Sequence, residues 1–277
     1  MPRLPVWAGI VIRCDKVRSV VAEKSTPDPS RGSSDPAEGT EAEGGLQSPL
    51  GAERPRLLEV LESAAKLQRA VPDAVLVGGT AAALWANHRD STDHDHVLGD
   101  LSERFDAVLE AVESTDGWVT NRVTPKKIIL GELGGIEAGV RQLIRTRPLE
   151  VVELRLPSGA KLRAPTLDET LRVKGYLLVL RNQTRDYLDV AALADRSGVA
   201  HAAEVFGHID DYYADQRPRG VAGVATQLAR QLADPQPADR SSVGQLSRYK
   251  GLERRWTDWD AVVEVCRAVA TGMVTQA

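Results

Sequence analysis

Apolar and polar positions follow two different periods along the chain. Residues 54–71, RPRLLEVLESAAKLQRAV, place apolar residues three and four positions apart, a spacing that predicts an amphipathic helix. Pro72 interrupts this pattern. The AVLV stretch that follows at residues 74–77 is typical of a short buried strand ending at Gly78-Gly79.

Further elements alternate up to Pro165, after which helical spacing dominates. The pattern predicts helices at 80–87 and 101–115, and strands at 93–98, 118–123, 126–133, 139–144, 149–156 and 160–164. Two helices follow at 166–182 and 184–198, the first with Thr166 as its N-cap. The chain therefore has the pattern of an α+β protein. We expect a mixed sheet with flanking helices over residues 51–164 and a helical C-terminal domain over 165–277.

The first 50 residues differ in composition from the rest. Residues 25–50 are rich in Pro, Gly, Ser and Glu and contain no aromatic residue. Such a segment cannot bury enough apolar surface to offset its ordering entropy, so we predict a disordered linker. Residues 1–24 would then be a detached tail, forming either one strand or an extension outside the fold.

Composition narrows the class of protein. The 277 residues are 42% hydrophobic and 27% charged, and the net charge is -4, as in ordinary soluble proteins. A site for polyanions must therefore be a local patch. Two distant cysteines favour a reducing cytoplasm, and the chain has no apolar run near the roughly 20 residues of a membrane span.

The stretch DHDHVL, residues 93–98, carries the first candidate chemistry. Alternate residues of a strand share a face, so Asp93 and Asp95 point the same way with Cα atoms roughly 6.5 to 7 Å apart. Two neighbouring carboxylates repel each other unless a cation lies between them. Oxygen ligands of this kind suit Mg²⁺, which holds phosphates in phosphoryl-transfer sites.

A second candidate feature precedes that strand. Gly78, Gly79 and Thr80 end one predicted strand and begin a helix, and the first turn of a helix presents free backbone N–H groups that can bind phosphate. A Gly-Gly turn by itself is most often only structural, and so is a lone Asp-x-Asp. The combination of both, with Arg89 and Ser91 two positions apart before Asp93, is far more specific.

These residues resemble the first motif of the nucleotidyltransferase superfamily. The resemblance is closer still to the AbiEii-type toxin nucleotidyltransferases, which include the mycobacterial MenT toxins. The matching positions are Gly78, Gly79, Thr80, Arg89, Ser91, Asp93 and Asp95. A second family motif is matched by Lys174, Arg181, Arg185, Asp186 and Asp189. The resemblance covers roughly residues 53–200.

The resemblance implies a nucleotidyltransferase-like fold and an activity. Such enzymes move an NMP from an NTP to an acceptor hydroxyl and release pyrophosphate. For the MenT group the implied acceptor is the 3′ end of tRNA. A chain of this kind would be the toxin of a toxin–antitoxin system, with a cognate antitoxin as its partner.

The resemblance also implies roles for individual residues. Asp93 and Asp95 would hold Mg²⁺, and Asp186 would help to organise the active site. The phosphates would be contacted from two elements, by Gly78, Gly79, Thr80, Arg89 and Ser91 around the first motif and by Lys174 on the later helix.

Several alternatives stay open. A third acidic metal ligand is not marked, and Glu153, with Glu150 behind it, is the candidate. Lys174 could instead extend to solvent, and Asp186 could simply pair with Arg181 or Arg185.

His94 and His96 would face away from the carboxylates and pack under helices. With His88 they could instead make a His/Asp metal-dependent hydrolase. The acceptor could also be a protein or a small molecule, and the chain could be a binding module without activity.

The C-terminal stretch SRYKGLERRWTDWD, residues 247–260, interleaves basic and aromatic residues. One interpretation is nucleic-acid contact, with basic side chains on phosphates and aromatic rings on bases. The interpretation that we favour has Trp256 and Trp259 packed in the core.

Overall fold

The computed structural model describes residues 11–13, 54–216 and 220–275. The predicted linker at residues 25–50 and most of the predicted tail lie outside the described residues. Val11–Arg13 forms strand β1, which is one of the two possibilities left open for the tail.

A five-stranded mixed sheet forms the first layer of the fold. Its strands are β2 (Val75–Val77), β3 (Asp93–Leu98), β4 (Trp118–Thr124), β5 (Ile128–Leu133) and β6 (Ile136–Gln142), in the order β2-β3-β6-β5-β4. Only the β3–β6 pair is parallel. The β5–β6 turn uses Gly134 and Gly135 at φ of +62° and +81°, a region that glycine enters without steric cost.

A second, three-stranded antiparallel sheet joins β1 to β7 (Val151–Arg155) and β8 (Lys161–Pro165), in the order β1-β7-β8. The side chain of Gln68 fixes this sheet to the first helix, since it accepts from the Arg163 N–H at 2.7 Å and donates to the Arg163 carbonyl at 2.9 Å.

Eight α-helices surround the sheets in the described part of the chain. They are α1 (Pro55–Ala70), α2 (Gly78–Ala86), α3 (Phe105–Glu113), α4 (Leu167–Arg181), α5 (Thr184–Ser197), α6 (Val199–Gly207), α7 (Val224–Ala233) and α8 (Trp259–Thr275). Thr166 caps α4 as predicted, its side chain accepting from the Glu169 N–H at 3.1 Å. Asn182 ends this helix in the left-handed conformation, at φ 50°.

The apolar core has two parts. One covers the inner face of the five-stranded sheet, where α1 and α3 pack. The larger part is shared by α1, α2, β7, β8 and the helices from α4 to α8, so that Leu57 and Trp85 belong to the same cluster as Leu171 and Leu178. The C-terminal helices are therefore packed directly against the elements that begin with the Gly-Gly turn.

The predicted fold class is confirmed: the chain is an α+β protein with a five-stranded mixed sheet and flanking helices, followed by a helical C-terminal part. Within the described ranges, none of the helices has the length and apolar character that crossing a membrane requires.

The close approach of β4 and β5 gives a test of this packing. A Cβ on Gly131 would lie 2.5 Å from both the Trp118 ring and the Val119 carbonyl oxygen. We expect Gly131→Ala to destabilise the protein by about 1–3 kcal/mol and to lower Tm by several degrees in calorimetry. Gly99→Ala is the control, because a Cβ there meets nothing within 4 Å. Equal Tm values for the two variants would contradict the packing described here.

Candidate functional site

A cavity of about 430 Å³ opens where the start of α2, strands β3 and β6, and helix α4 come together. Its charged lining is mostly basic, with five basic side chains against the carboxylates of Asp93 and Asp95. The basic residues are Arg89, Arg141, Lys174, Arg181 and Arg185. Although the chain is acidic overall, the lining makes this cavity a local positive patch, which suits an anionic ligand.

Asp93 and Asp95 share one face of β3 and both line the cavity. Ser91 Oγ donates to Asp93 Oδ1 at 3.2 Å, and Arg141 Nε donates to Asp95 Oδ1 at 3.1 Å. The neighbouring position in β6 is Gly139, where a Cβ would lie only 2.8 Å from Asp95 Oδ1. The Asp95 carboxylate therefore has its place because residue 139 lacks a side chain.

The Gly-Gly turn lies beside the carboxylate pair. Gly78 begins α2 at φ +76°, and both glycines line the cavity. A Cβ on Gly79 would lie 2.6 Å from Arg89 Nη2, so glycine is required for the guanidinium of Arg89 to approach the turn. The first turn of α2 thus presents backbone N–H groups and a basic side chain to the same space.

Thr80 and Ser91 do not line the cavity and are buried. The Thr80 hydroxyl lies 2.8 Å from Ser91 Oγ and also hydrogen-bonds the Asp93 carbonyl. These side chains tie the start of α2 to β3. Their hydrogen bonds connect Asp93 to the Gly-Gly turn, and the phosphate contact expected for them stays a prediction.

A cluster of four buried residues centres on Asp189. Its carboxylate accepts from Arg89 Nε at 2.9 Å and from Arg89 Nη2 at 3.2 Å. Lys174 Nζ lies 2.6 Å from Oδ2, and His88 Nε2 lies 2.8 Å from Oδ1. We call these residues the Asp189 cluster. Lys174 does not extend to solvent, because its side chain is 4% exposed.

The surroundings of Asp189 favour the ionised form of its carboxylate. Burial alone would raise the pKa of Asp189, but Arg89, Lys174 and His88 hold it well below its usual range. Burial lowers the pKa of His88 despite its hydrogen bond to Asp189. The result is an ionised carboxylate that orients two cations next to the cavity.

Asp189 was part of the matched second motif but was not predicted as a site residue. Asp186, which was predicted, makes the simpler contact: it is buried and pairs with Arg181 at 2.5 Å between Oδ1 and Nη2. Arg181 lines the cavity, so Asp186 orients one of the basic residues of its lining.

His94 and His96 lie on the opposite face of β3 and are fully buried. His94 Nε2 is 3.0 Å from Ser63 Oγ. Burial lowers the pKa of His94 to about 4 and that of His96 well below the usual histidine value. The rings of His94 and His96 pack edge-on with centroids 5.2 Å apart, but they lie on the face opposite to Asp93 and Asp95. His88 belongs to the Asp189 cluster, so the structure does not bring the three histidines and the two aspartates together as the hydrolase alternative requires.

Glu153 does not reach the cavity. It lies on the outer face of β7, half exposed, and pairs with Lys161 Nζ at 2.8 Å. Glu150 binds Arg172 and Tyr212, each at 2.8 Å. The strand that holds Glu153 belongs to the three-stranded sheet rather than to the sheet of Asp93 and Asp95, so the proposed third metal ligand is not assembled.

The C-terminal stretch packs into the core and also contributes one residue to the cavity. Trp256 is buried, and Trp259 packs edge-on against Tyr187 at 5.9 Å, as the core interpretation predicts. Tyr249, however, lines the cavity.

Two backbone hydrogen bonds hold this stretch in place, Asp90 N–H to the Lys250 carbonyl at 2.9 Å and Glu253 N–H to the His88 carbonyl at 2.8 Å. We call residues 249–253 the C-terminal strap.

The donor set of the cavity fits a hard divalent cation. Asp93 and Asp95 offer carboxylate oxygens on one face, with open space in front of them and neither carboxylate buried. Two carboxylates leave the other positions to water and phosphate oxygens, which is the arrangement that Mg²⁺ favours. In the described ranges, no group of three or more His, Cys, Asp or Glu side chains could hold a metal.

Comparisons with known proteins give two different results. No protein-family profile matches the chain. The heme uptake protein MmpL11 of Mycobacterium tuberculosis is 33% identical over 247 residues, covering 79% of this chain and 23% of that protein. The mycolic acid-containing lipids exporter MmpL11 of Mycolicibacterium smegmatis is 41% identical over 133 residues, covering 48% and 13%. The chain thus spans about a quarter or less of these relatives.

Two solved structures with partial similarity to this chain are described as a nucleotidyltransferase toxin and a nucleotidyltransferase-like protein. MenT4, a nucleotidyltransferase toxin of Mycobacterium tuberculosis, has a TM-score of 0.49 at 20% identity, covering 79% of this chain and 83% of MenT4. An antigenic nucleotidyltransferase-like protein of Paracoccidioides brasiliensis has a TM-score of 0.41 at 16% identity, covering 64% and 93%.

The buried histidines predict acid sensitivity. The folded protein resists protonating His94 until about pH 4, whereas the unfolded chain takes up that proton near pH 6.5. Between these values the unfolded state binds more protons, so the free energy of unfolding falls as the pH is lowered, by about 3 kcal/mol for this residue.

Thermal unfolding in EDTA from pH 7.5 to 4 measures this dependence. His94→Gln should flatten it, because the amide keeps a hydrogen-bonding group for Ser63 and does not titrate. His208→Gln, at an exposed position, is the control and should keep the wild-type slope. Identical slopes in all three proteins would contradict the assignment.

Proposed function

We propose that this chain is an Mg²⁺-dependent nucleotidyltransferase that moves an NMP from an NTP to an acceptor hydroxyl. The observation that carries the proposal is the meeting of three features in one basic cavity: the Asp93–Asp95 pair, the Gly-Gly turn at the start of α2, and Lys174 with Arg89 oriented by Asp189. Together they supply metal ligands, phosphate-binding N–H groups and fixed positive charge.

The reaction assigns work to each residue. The acceptor oxygen bonds to the α-phosphorus of the NTP, the bond to the bridging oxygen of the leaving pyrophosphate breaks, and the acceptor proton passes to solvent. Mg²⁺ held by Asp93 and Asp95 would bind phosphate oxygens and neutralise charge that develops during transfer. Lys174 and Arg89 would bind the negative charge that moves toward pyrophosphate.

The Asp189 cluster explains why those cations could act without large rearrangement. Lys174 and Arg89 are long side chains, and holding them in one geometry costs conformational entropy in an open site. Here the ionised Asp189 carboxylate already fixes both. Preorganised charges of this kind are the main source of transition-state stabilisation in polar reactions.

We further propose that the acceptor is the 3′ end of tRNA and that the chain acts in the cytoplasm as a toxin neutralised by a cognate antitoxin. The two matched sequence motifs support this narrower assignment, and the five basic residues of the cavity suit a polyanionic acceptor. An acceptor on a protein or a small molecule would use the same chemistry.

A second candidate function follows from the curated relatives. The chain is similar over 79% of its length to part of a protein named for heme uptake, and over 48% of its length to part of a protein named for export of mycolic acid-containing lipids. A binding module without transfer activity, serving such a transport protein, is therefore the alternative. It predicts nucleotide binding without pyrophosphate release, or no nucleotide binding.

One experiment separates these candidates. The purified chain is incubated with Mg²⁺, total tRNA and each α-³²P-labelled NTP in turn, and the products are sized on a denaturing gel. We expect label in the tRNA band and release of pyrophosphate. Label on protein or on a small product would show that the acceptor is not tRNA. No labelled product with any NTP would favour the binding module.

The carboxylate pair provides the sharpest variant test. Asp93→Asn and Asp95→Asn should each abolish label transfer, because an amide is a far weaker ligand for Mg²⁺ than a carboxylate. Glu153→Gln is the matched control and should retain transfer, since Glu153 pairs with Lys161 away from the cavity. A folded Asp93→Asn protein with near wild-type turnover would exclude the proposed metal site.

Lys174 tests the positive side of the site. Lys174→Ala should lower kcat/KM for the NTP by roughly two orders of magnitude, on the order of 3 kcal/mol, because one preorganised charge is lost. Lys174→Arg should recover only part of the lost kcat/KM, since the planar guanidinium of arginine does not replace the compact ammonium of lysine.

Lys161→Ala is the control for Lys174, as it removes a lysine that is also ion-paired but exposed on the second sheet. Its loss should stay below about threefold in steady-state kinetics with the NTP varied at saturating acceptor. A similarly small loss for Lys174→Ala, with a lowered Tm, would assign that lysine a structural role only.

A further inference from the structure

The cavity has an apolar side that the proposed transfer chemistry leaves unused. Helix α4 lines it across much of its width, with Lys174 on one flank and Tyr176 on the other. At about 100° per residue these two positions lie about 160° apart around the helix axis. Val173 and Leu177 lie between them, and Leu149 also lines the cavity. One ligand could therefore contact cations at one end and an aromatic ring at the other.

The aromatic side is built as a stack. The rings of Tyr176 and Tyr213 are parallel, with their centroids 4.1 Å apart and their planes at 2°. Tyr213 is 3% exposed and the Arg145 guanidinium lies 5.0 Å from its centroid. Tyr176 is less buried and lines the cavity. Tyr213 is thus the buried member of the stack and Tyr176 the accessible one.

A buried ion pair holds the arginine that packs against Tyr213. Arg145 Nη2 lies 2.7 Å from Glu169 Oε1, and both side chains are fully buried. Glu169 also contacts Arg172 at 3.2 Å. Because these partners are fixed before any ligand arrives, the aromatic side requires little ordering on binding.

We propose that Tyr176, backed by Tyr213, is the surface on which a nucleobase stacks. This inference rests on the proposed function, since it assigns the base of the NTP to the aromatic side and the phosphates to Gly79, Arg89 and Lys174. A ligand with a polyanionic end and a planar aromatic end complements both sides of the cavity. Stacking accepts any base, because every base has a π-face, so Tyr176 contributes affinity rather than a choice among the four nucleotides.

The test compares ligands with and without a base. Isothermal titration calorimetry measures binding of the α,β-methylene analogues of ATP and CTP, and of inorganic tripolyphosphate, each with Mg²⁺. Tyr176→Ala should weaken both nucleotide analogues by about tenfold and leave tripolyphosphate within about threefold. Tyr176→Phe should restore analogue binding, since it keeps the ring. Leu180→Ala, at a position on α4 that is 61% exposed, is the control and should match the wild type.

The outcomes separate this inference from the function on which it rests. If the wild type and Tyr176→Ala bind the analogues equally well, Tyr176 is not the stacking surface, and the proposed transfer function is unaffected. An equal loss of analogues and tripolyphosphate would also overturn it. If the wild type binds neither class of ligand, the transfer function itself fails. If thermal unfolding shows that Tyr176→Ala is not folded, Tyr176→Leu is used in its place. We expect it to lose affinity for the nucleotide analogues in the same way, with tripolyphosphate binding nearly unchanged.

Discussion

The carboxylate of Asp189 is the contact on which the architecture of the cavity depends. It lies in the interior and is reached by Arg89, Lys174 and His88, which come from two other parts of the chain. Burying an ionised group is costly unless it is paired and hydrogen-bonded. Because Asp189 has three partners, helices α4 and α5 are locked to the loop after α2, and both cations face the same space.

The same constraint explains why the helical C-terminal part and the sheet layer behave as one packing unit. Helices α4 and α5 contribute both ends of the Lys174–Asp189 pair, while α2 and the loop after it contribute Gly79 and Arg89. The large apolar cluster runs through all of these elements. The position of Asp93 and Asp95 relative to the basic side chains is therefore set by core packing as well as by the sheet.

Local patterns in the sequence were enough for the elements, but less so for the site. The periodicity of residues 54–71 predicted α1 (Pro55–Ala70), and DHDHVL matched β3 to the residue, because these signals are carried by neighbouring side chains. The shared face of Asp93 and Asp95 followed from strand geometry alone. Glu153 could not be assigned, since the alternation of β7 defines its outward face without telling which sheet the strand joins.

Long-range pairings were the other limit of the sequence. Asp189 meets His88 across 101 positions of the chain, and no local spacing encodes that contact. Tyr213 and Tyr249 reach the cavity from segments whose sequences have no periodic pattern pointing there. The buried histidines were better defined, because their position on the opposite face of β3 follows from the same alternation that groups the carboxylates.

The C-terminal strap has a consequence for the order in which the molecule becomes competent. A ribosome releases residues 78–95, with the glycine turn and the carboxylate pair, long before the partners that complete the cavity. Asp189 follows about a hundred residues later, and the strap, whose Glu253 N–H binds the His88 carbonyl, later still. Contacts of such separation form slowly. The nascent chain thus carries the Gly-Gly turn and the carboxylate pair well before the residues that complete the cavity around them are made.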